Sequence, residues 1–252
     1  MTIDPALRAA LVDVGAVNAF FAVETGSAPG TRRPLADLWR ADLVDTEIAS
    51  VRAGLATAAG RPVEDVEPRA AASLGYQGLA SRLLSPQVAA ALCHGIVAPP
   101  AALRWRVSGG RLHLALGEGA GAAASGDRPR AEAAADLVAE HVVTAVLVPA
   151  AQTLRARVRL APRLLYGDAA SALAGAAAAL AADRPGLAED AFALVRLLLE
   201  RPPLRGLGAY SPTGPGDAGP AVFTRATCCL YYRIPGGGVC GDCPIAARAR
   251  RA

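Results

Sequence analysis

Four of the five cysteines in this chain lie within sixteen positions near its end. They are Cys228, Cys229, Cys240 and Cys243, so two adjacent cysteines are followed, ten residues later, by a C-x2-C pair. Where thiols stay reduced, four soft thiolates bind zinc or an iron–sulfur cluster in preference to magnesium or calcium. The spacing therefore predicts a metal centre built from these four side chains.

The two adjacent cysteines, Cys228 and Cys229, help to distinguish which metal is bound. The C-x2-C pair, Cys240 and Cys243, suits either answer, because such a turn brings two sulfurs onto one tetrahedral ion. Neighbouring side chains on extended backbone point to opposite faces, so Cys228 and Cys229 reach one small ion only through a bend. A two-iron cluster is wider and tolerates more ligand directions. The spacing favours a [2Fe–2S] cluster over structural zinc and over paired disulfides, and it leaves zinc open.

The residues around the cysteines suggest how a cluster would be tuned. Pro235 and the three glycines that follow it, residues 236–238, predict a turn whose N–H groups can donate to sulfur. Arg225 and Arg233 flank the cysteines. Donors and positive charge stabilise the more negative reduced state and raise the reduction potential. For either arginine alone, the alternative is a solvated side chain on a surface loop.

This segment resembles the C-terminal signature of the FhuF-like ferric-siderophore reductases. The matching positions are Arg225, Thr227, Cys228, Cys229, Tyr232, Pro235, Gly236, Gly237, Gly238, Cys240, Gly241, Asp242 and Cys243. The resemblance implies that the four cysteines ligate one [2Fe–2S] cluster and that the protein reduces a ferric siderophore. Residues 69–86 also look like the helical region of that family, although less distinctively.

The function that this resemblance implies is one-electron reduction of a chelated ferric ion. Siderophore oxygens hold hard Fe(III) tightly and softer Fe(II) weakly, so reduction makes the metal releasable. Because the arginine fork suits anionic oxygens, Arg69, Arg82, Arg225 and Arg233 are the candidate substrate-binding residues. Two other hypotheses stay open: an electron carrier or redox sensor that meets only proteins, and a zinc-stapled interaction module.

The sequence lacks a nucleotide-cofactor motif in the right context. Residues 214–219 match G-x-G-x-x-G, but no predicted strand precedes them and no helix follows. We therefore expect electrons from an external donor such as a ferredoxin or a reductase. Cys93 lies beside His94 in an apolar run, which is typical of packing and not of a metal site.

Composition and charge exclude several other classes. The net charge is +4, with 26 basic and 22 acidic residues, and no basic block predicts nucleic-acid binding. The start of the chain does not have the pattern of a signal peptide, and the uncharged run 169–182 is too short and alanine-rich for a transmembrane segment. We expect a cytoplasmic protein without a transmembrane segment.

The patterns predict an α+β fold that is predominantly helical, with a small antiparallel β-sheet and a C-terminal cluster-binding loop. Apolar residues make up 53% of the chain and aromatic residues only 4%, which favours closely packed, alanine-rich helices. Alternation over residues 103–116, around Gly109 and Gly110, predicts a β-hairpin. Between residues 68 and 96 we expect two helices, the second beginning at Ser85 and Pro86.

Four regions follow from these elements. They are an N-terminal helical region with the hairpin (1–116), a flexible linker or loop (117–130), a helical region (131–203) and the C-terminal [2Fe–2S]-binding segment (204–252). Within the last region, the glycine and proline content of residues 205–220 predicts an irregular loop.

Overall fold

A computed structural model describes residues 3–26, 31–108, 111–124, 126–211 and 222–249. The fold is a predominantly helical α+β fold with small antiparallel sheets, as the sequence predicts. The helices of the described residues are α1 (Pro5–Val14), α2 (Ala41–Ala59), α3 (Pro68–His94), α4 (Arg130–Val138), α5 (Val148–Arg157), α6 (Pro162–Asp183), α7 (Ala188–Leu199) and α8 (Pro244–Ala249).

Helices α3 and α6 form the centre of the core and pack more extensively against each other than any other pair of described elements. Both are rich in buried alanine, for example Ala80 and Ala89 on α3 and Ala169 and Ala177 on α6. Small side chains let two helix backbones approach closely over many turns. The alanine-rich composition thus produces the close helix pair on which the cysteine segment rests.

Helix α3 continues through Pro86, so the prediction of two helices separated at Ser85 was wrong. A proline inside a helix lacks the N–H that would bond to the residue four positions earlier. Ser85 and Pro86 are both buried. Packing in the core therefore holds the helix together across the missing hydrogen bond.

A similar continuity joins α4 to α5. The connecting residues, Ala139–Leu147, form a π-helical stretch, and Pro149 falls in the first turn of α5. A wider helical turn immediately before the proline accommodates a residue that would interrupt a regular α-helix.

The predicted hairpin is present as β3 (Leu103–Ser108) paired with β4 (Arg111–Leu116), and Trp105 stands opposite Leu114. Its turn residues, Gly109 and Gly110, lie outside the described residues. The short strand β1 (Arg33–Pro34) adds to β3 as a third strand. A second small sheet pairs β2 (Ile96–Val97) with β5 (Ala122–Ala123), which lies in the region expected to be a linker.

A third sheet leads into the cysteine segment and was not expected. Strand β6 (Gly208–Ser211) pairs with β7 (Val222–Arg225), although the sequence predicted an irregular loop over 205–220. The Tyr210 ring packs edge-on against Phe192 of α7 and against Phe223, with ring centroids 5.5 and 5.4 Å apart. These aromatic contacts attach the sheet to the helical core and so fix where the cysteine segment begins.

Two helical stretches, Arg130–Arg157 and Pro162–Asp183, are long and apolar enough to cross a bilayer. In each, half or more of the most apolar window is buried inside the protein. Core helices of soluble proteins have the same character, so this finding is compatible with a soluble protein.

Candidate metal centre

The cysteine segment runs from β7 through a short 3₁₀ turn (Tyr231–Arg233) to α8. Cys229 and Cys243 are buried, whereas Cys228 and Cys240 are partly exposed. The four thiols therefore lie at the surface of the helical core, with two facing the protein and two nearer the solvent.

The structure brings Cys229 and Cys240 together from opposite arms of the loop, with their Sγ atoms 3.7 Å apart. Two thiolates on one tetrahedral metal ion, each about 2.3 Å from it, are about 3.8 Å apart. This pair therefore has the spacing of two ligands on a single tetrahedral metal ion. Cys228 lies within electrostatic reach of Cys229 and Cys243, and their negative charges contribute to raising the pKa of its thiol, after the larger effect of burial.

A structural zinc site needs four ligands converging on a single point. A two-iron cluster needs only two thiolates at each iron, and the close pair formed by Cys229 and Cys240 meets that requirement for one of them.

The chain turns sharply directly after the two adjacent cysteines. Leu230 has φ 65°, and among the described residues it is the only one other than glycine with a positive φ. This left-handed conformation is costly for a leucine. It turns the chain directly after Cys229 and places the Leu230 N–H 3.4 Å from Cys228 Sγ.

Two glycines of the loop are required by its turn, one for its backbone angle and one for its small size. Gly236 has φ 70°, and a Cβ at Gly237 would overlap the carbonyl oxygens of Tyr231 and Ile234. The Gly237 N–H donates to the Ile234 carbonyl at 2.7 Å. The sequence suggested that glycine N–H groups donate to sulfur; at Gly237 that donor is used inside the turn.

Arg225 is the buried cation of the site and is only 1% exposed. Its Nη2 donates to Cys240 Sγ at 2.7 Å and lies 3.2 Å from Asp242 Oδ1. Its Nη1 donates to Asp168 Oδ1 on α6 at 2.8 Å. The Ser73 hydroxyl on α3 lies 2.8 Å from the other Asp168 oxygen and 2.9 Å from the Cys229 carbonyl oxygen. One buried network thus joins α3 and α6 to the cysteine segment.

The charges in this network depend on each other. Burial raises the pKa of the Asp168 carboxyl to about 8, while the hydrogen bond from Ser73 and the charge of Arg225 each act to lower it. Burial acts to lower the pKa of Arg225, but negative charge on Asp242, Cys229 and Asp168 raises it overall. A buried ion without its partner is strongly destabilising, so neither side chain can be removed alone without cost.

Three polar atoms around the cysteines are buried without a hydrogen-bond partner: Arg225 Nε, Thr227 Oγ1 and Asp242 Oδ2. The first is a donor, and the second can donate through its hydroxyl. The sulfides and thiolates of an iron–sulfur cluster are acceptors for such groups. The side chains present therefore fit a [2Fe–2S] cluster, because it supplies acceptors that the protein alone does not.

Gly167 on α6 makes room for this arrangement. A Cβ at that position would overlap Thr227 Oγ1, whereas a Cβ at Gly175, two turns further along α6, would meet nothing within 4 Å. Gly167 and its neighbour Asp168 were both missed from the sequence. The signal available was an isolated carboxylate beside a glycine in a long alanine-rich helix.

The four candidate substrate-binding arginines have different surroundings. Arg225 lies in the centre itself. Arg233 is exposed and donates to Glu67, with its Nη1 2.8 Å from Oε2, and Arg69 lies 4.0 Å from the same carboxylate. Arg82 is 13 residues, about 20 Å, further along α3, where its guanidinium lies 5.3 Å from the centroid of the Phe20 ring.

Cys93 lies outside the centre, near the other end of α3. Its Sγ is 3.2 Å from Nη1 of Arg184, and burial raises the pKa of its thiol. The thiol is thus part of a separate contact with α6 and its C-terminal end.

Gly167→Ala should destabilise the protein, because the new methyl group displaces Thr227 and with it the cysteine segment. We expect a loss of about 1–3 kcal/mol in the free energy of unfolding, as for other overpacked sites. The matched control is Gly175→Ala on the same helix, which should be neutral or stabilising by up to about 1 kcal/mol. Urea unfolding of both variants measures the difference, and equal stability of the two would contradict this account.

Comparison with known proteins agrees with the geometry. Residues 225–244 match the family model described as the FhuF 2Fe-2S C-terminal domain. No curated protein matches the chain. The matched segment begins at the buried arginine and contains all four clustered cysteines, so it indicates a [2Fe–2S] cluster in place of the zinc alternative. The chain is thus FhuF-like through a C-terminal [2Fe–2S] domain at residues 225–244.

Proposed function

We propose that this protein is a cytoplasmic ferric-siderophore reductase that transfers one electron to siderophore-bound Fe(III) and releases Fe(II). The observation that carries the proposal is a [2Fe–2S] domain whose thiols Cys228 and Cys240 are partly exposed, beside a buried arginine. The substrate in this proposal is the ferric chelate, and the resident cofactor is the cluster.

We infer that Cys228, Cys229, Cys240 and Cys243 hold the cluster, which when bound supplies a one-electron donor at the protein surface. The protein's own residues then have two tasks. Cys229 and Cys243, with the backbone turn at Leu230, anchor the site to the core. The partly exposed Cys228 and Cys240 leave one side open, so that a chelate can approach without any covalent step.

We infer that Arg225 sets the reduction potential of the cluster. The reduced cluster is more negative than the oxidised one, and a fixed positive charge against Cys240 Sγ stabilises the reduced form. Asp168, which itself accepts a hydrogen bond from Ser73, holds the guanidinium in this place. Arg233 is exposed and paired with Glu67, so we expect its charge to affect the reduction potential less.

Electrons come from an external protein donor in this proposal. Several large apolar side chains of the cysteine segment are exposed, namely Tyr231, Tyr232, Val239 and Ile245. Exposed apolar groups concentrated in one segment are a feature of protein docking surfaces. The same observation favours the second candidate function, an electron carrier or redox sensor that meets only proteins, so the two must be separated by experiment.

The decisive experiment is to mix the reduced protein with a panel of ferric siderophores and follow reoxidation of the cluster. A ferric-siderophore reductase gives rates that saturate with chelate concentration and releases Fe(II), which a ferrous-selective chelator traps. An electron carrier gives slow rates without saturation. The absence of saturation with every chelate would contradict the proposed function while leaving the [2Fe–2S] domain intact.

Cys240→Ser should abolish iron binding, because this thiolate is one of the close pair and contacts Arg225. Iron analysis and visible absorption of protein purified without oxygen measure the loss. The matched control is Cys93→Ser, which changes the fifth cysteine and should keep both signals. A Cys240→Ser protein that retains its iron and its spectrum would show that Cys240 is not a ligand.

Arg225→Gln should lower the midpoint potential of the cluster, because a positive charge next to a thiolate is lost. A unit charge a few ångström away is worth on the order of 1–4 kcal/mol, and about 1.4 kcal/mol corresponds to about 59 mV for one electron. We therefore expect a decrease of at least tens of millivolts in a redox titration followed by absorption.

Two further variants make the Arg225 test interpretable. Arg233→Gln removes an exposed charge from the same segment and should shift the potential much less. The double variant Arg225→Gln with Asp168→Asn replaces both members of the buried pair with neutral amides, so it should recover stability that the single variant loses. An equal shift for Arg225→Gln and Arg233→Gln would refute the role of the buried cation.

A further inference from the structure

A cavity with mixed polar and apolar walls lies between α3, α6 and the chain around residues 18–21, on the side of α3 that faces α6. Its volume is about 320 Å³, within the range of small-molecule sites, about 300–1000 Å³. Asn18 and Phe20 are exposed at one part of the lining, whereas Phe21, Ala172 and Ala176 are buried at another. The cavity therefore connects the solvent with the interior of the helix pair.

The lining of this cavity is uncharged. Its polar side chains are Asn18, Gln77, Ser81, Ser85 and Ser171. Amide and hydroxyl groups both donate and accept hydrogen bonds, so they suit ligand groups of the same kind. Among the residues that the structure describes, no cationic side chain lines these walls. The four candidate arginines named from the sequence do not line this cavity.

One end of the cavity is linked to the metal centre through two side chains. Gln77 Nε2 donates to Ser171 Oγ at 3.1 Å, so this amide forms part of the wall. Arg225 Nη1 lies 3.5 Å from Gln77 Oε1, and Nη2 of the same guanidinium donates to Cys240 Sγ. A single guanidinium thus separates the cavity wall from a thiol of the centre.

We propose that this cavity binds an uncharged amide- or hydroxyl-bearing part of the ferric chelate and so holds the chelated iron beside the Cys240 side of the centre. Its volume accommodates a portion of such a ligand, with the remainder outside. In the step that follows, Fe(III) gains one electron and becomes Fe(II), and the reduced cluster loses that electron. Holding the chelate and the metal centre in one orientation makes electron transfer more efficient than random collisions between them would. This inference rests on the proposed function.

Helix α6 offers a matched pair of variants. Ala179 is half-buried and lines the cavity, whereas its neighbour Ala178 is exposed on the same helix and does not line it. Leucine at position 179 fills cavity space, and leucine at position 178 adds the same bulk towards solvent. We expect Ala179→Leu to weaken chelate binding about tenfold or more, and Ala178→Leu to leave it unchanged within about twofold.

Binding is measured with the gallium(III) complexes of the siderophore panel, titrated into the holoprotein by calorimetry, because gallium(III) is not reduced under these conditions. The same proteins are then reduced and mixed with the ferric complexes, and with ferricyanide as an acceptor that needs no cavity. The proposal predicts weaker gallium-complex binding and a higher KM for Ala179→Leu, with unchanged ferricyanide rates.

Equal affinity of Ala179→Leu and the unaltered protein for the gallium complexes would overturn the cavity assignment, while saturable ferric reduction would leave the proposed function standing. Conversely, gallium binding that depends on position 179 without any ferric reduction would reject the proposed function and support the cavity as a ligand site. If Ala179→Leu fails to fold, Ser171→Val tests the same wall by removing the hydroxyl that Gln77 contacts, and the same affinity comparison decides.

Discussion

The arrangement of the metal centre depends on one buried cation, Arg225, held between Asp168 of α6 and the thiol of Cys240. A charge of this kind is stable inside a protein only when every partner is in place. The requirement works in both directions: the carboxyl of Asp168 is costly to ionise where it lies, and Arg225 lowers that cost. The cysteine loop and the helix pair therefore cannot be optimised independently.

This constraint explains several features that otherwise look unrelated. Gly167 lacks a side chain where Thr227 must pack, and Ser73 on α3 reaches both Asp168 and the backbone of Cys229. The aromatic contacts of β6 and β7 fix the point at which Arg225 enters the core. The left-handed Leu230 then turns the chain directly after Cys229. Each feature brings part of one segment against a fixed helical surface.

The sequence pointed to the four clustered cysteines of the centre, but not to the residues of α6 that pack against the cysteine segment. Cysteine spacing is a local signal, and it predicted a metal centre just as alternation predicted the strands of the hairpin. The resemblance of the surrounding segment then selected a [2Fe–2S] cluster over zinc. Asp168 and Gly167 act on Thr227 and Arg225 across some 60 positions of the chain, so only tertiary packing reveals them. The same limit explains why the helix does not break at Ser85 and Pro86, since burial in the core overrode a local helix-ending signal. It also explains why strand β6 was missed, because its pairing partner is separated from it by ten residues.

The surroundings of the arginines change how substrate recognition is best understood. From sequence, arginines suggest attraction of an anion, yet Arg225 is buried and Arg233 is paired with Glu67. The positive charge of Arg225 is directed at a thiol and a carboxylate, where we propose that it acts on the electron affinity of the centre. In the proposed function, recognition falls to neighbouring uncharged groups, and Gln77 would serve both tasks because it lines the cavity and lies beside the guanidinium. In this proposal, the side chain that adjusts the reduction potential, Arg225 of β7, lies next to a side chain that binds the chelate, Gln77 of α3.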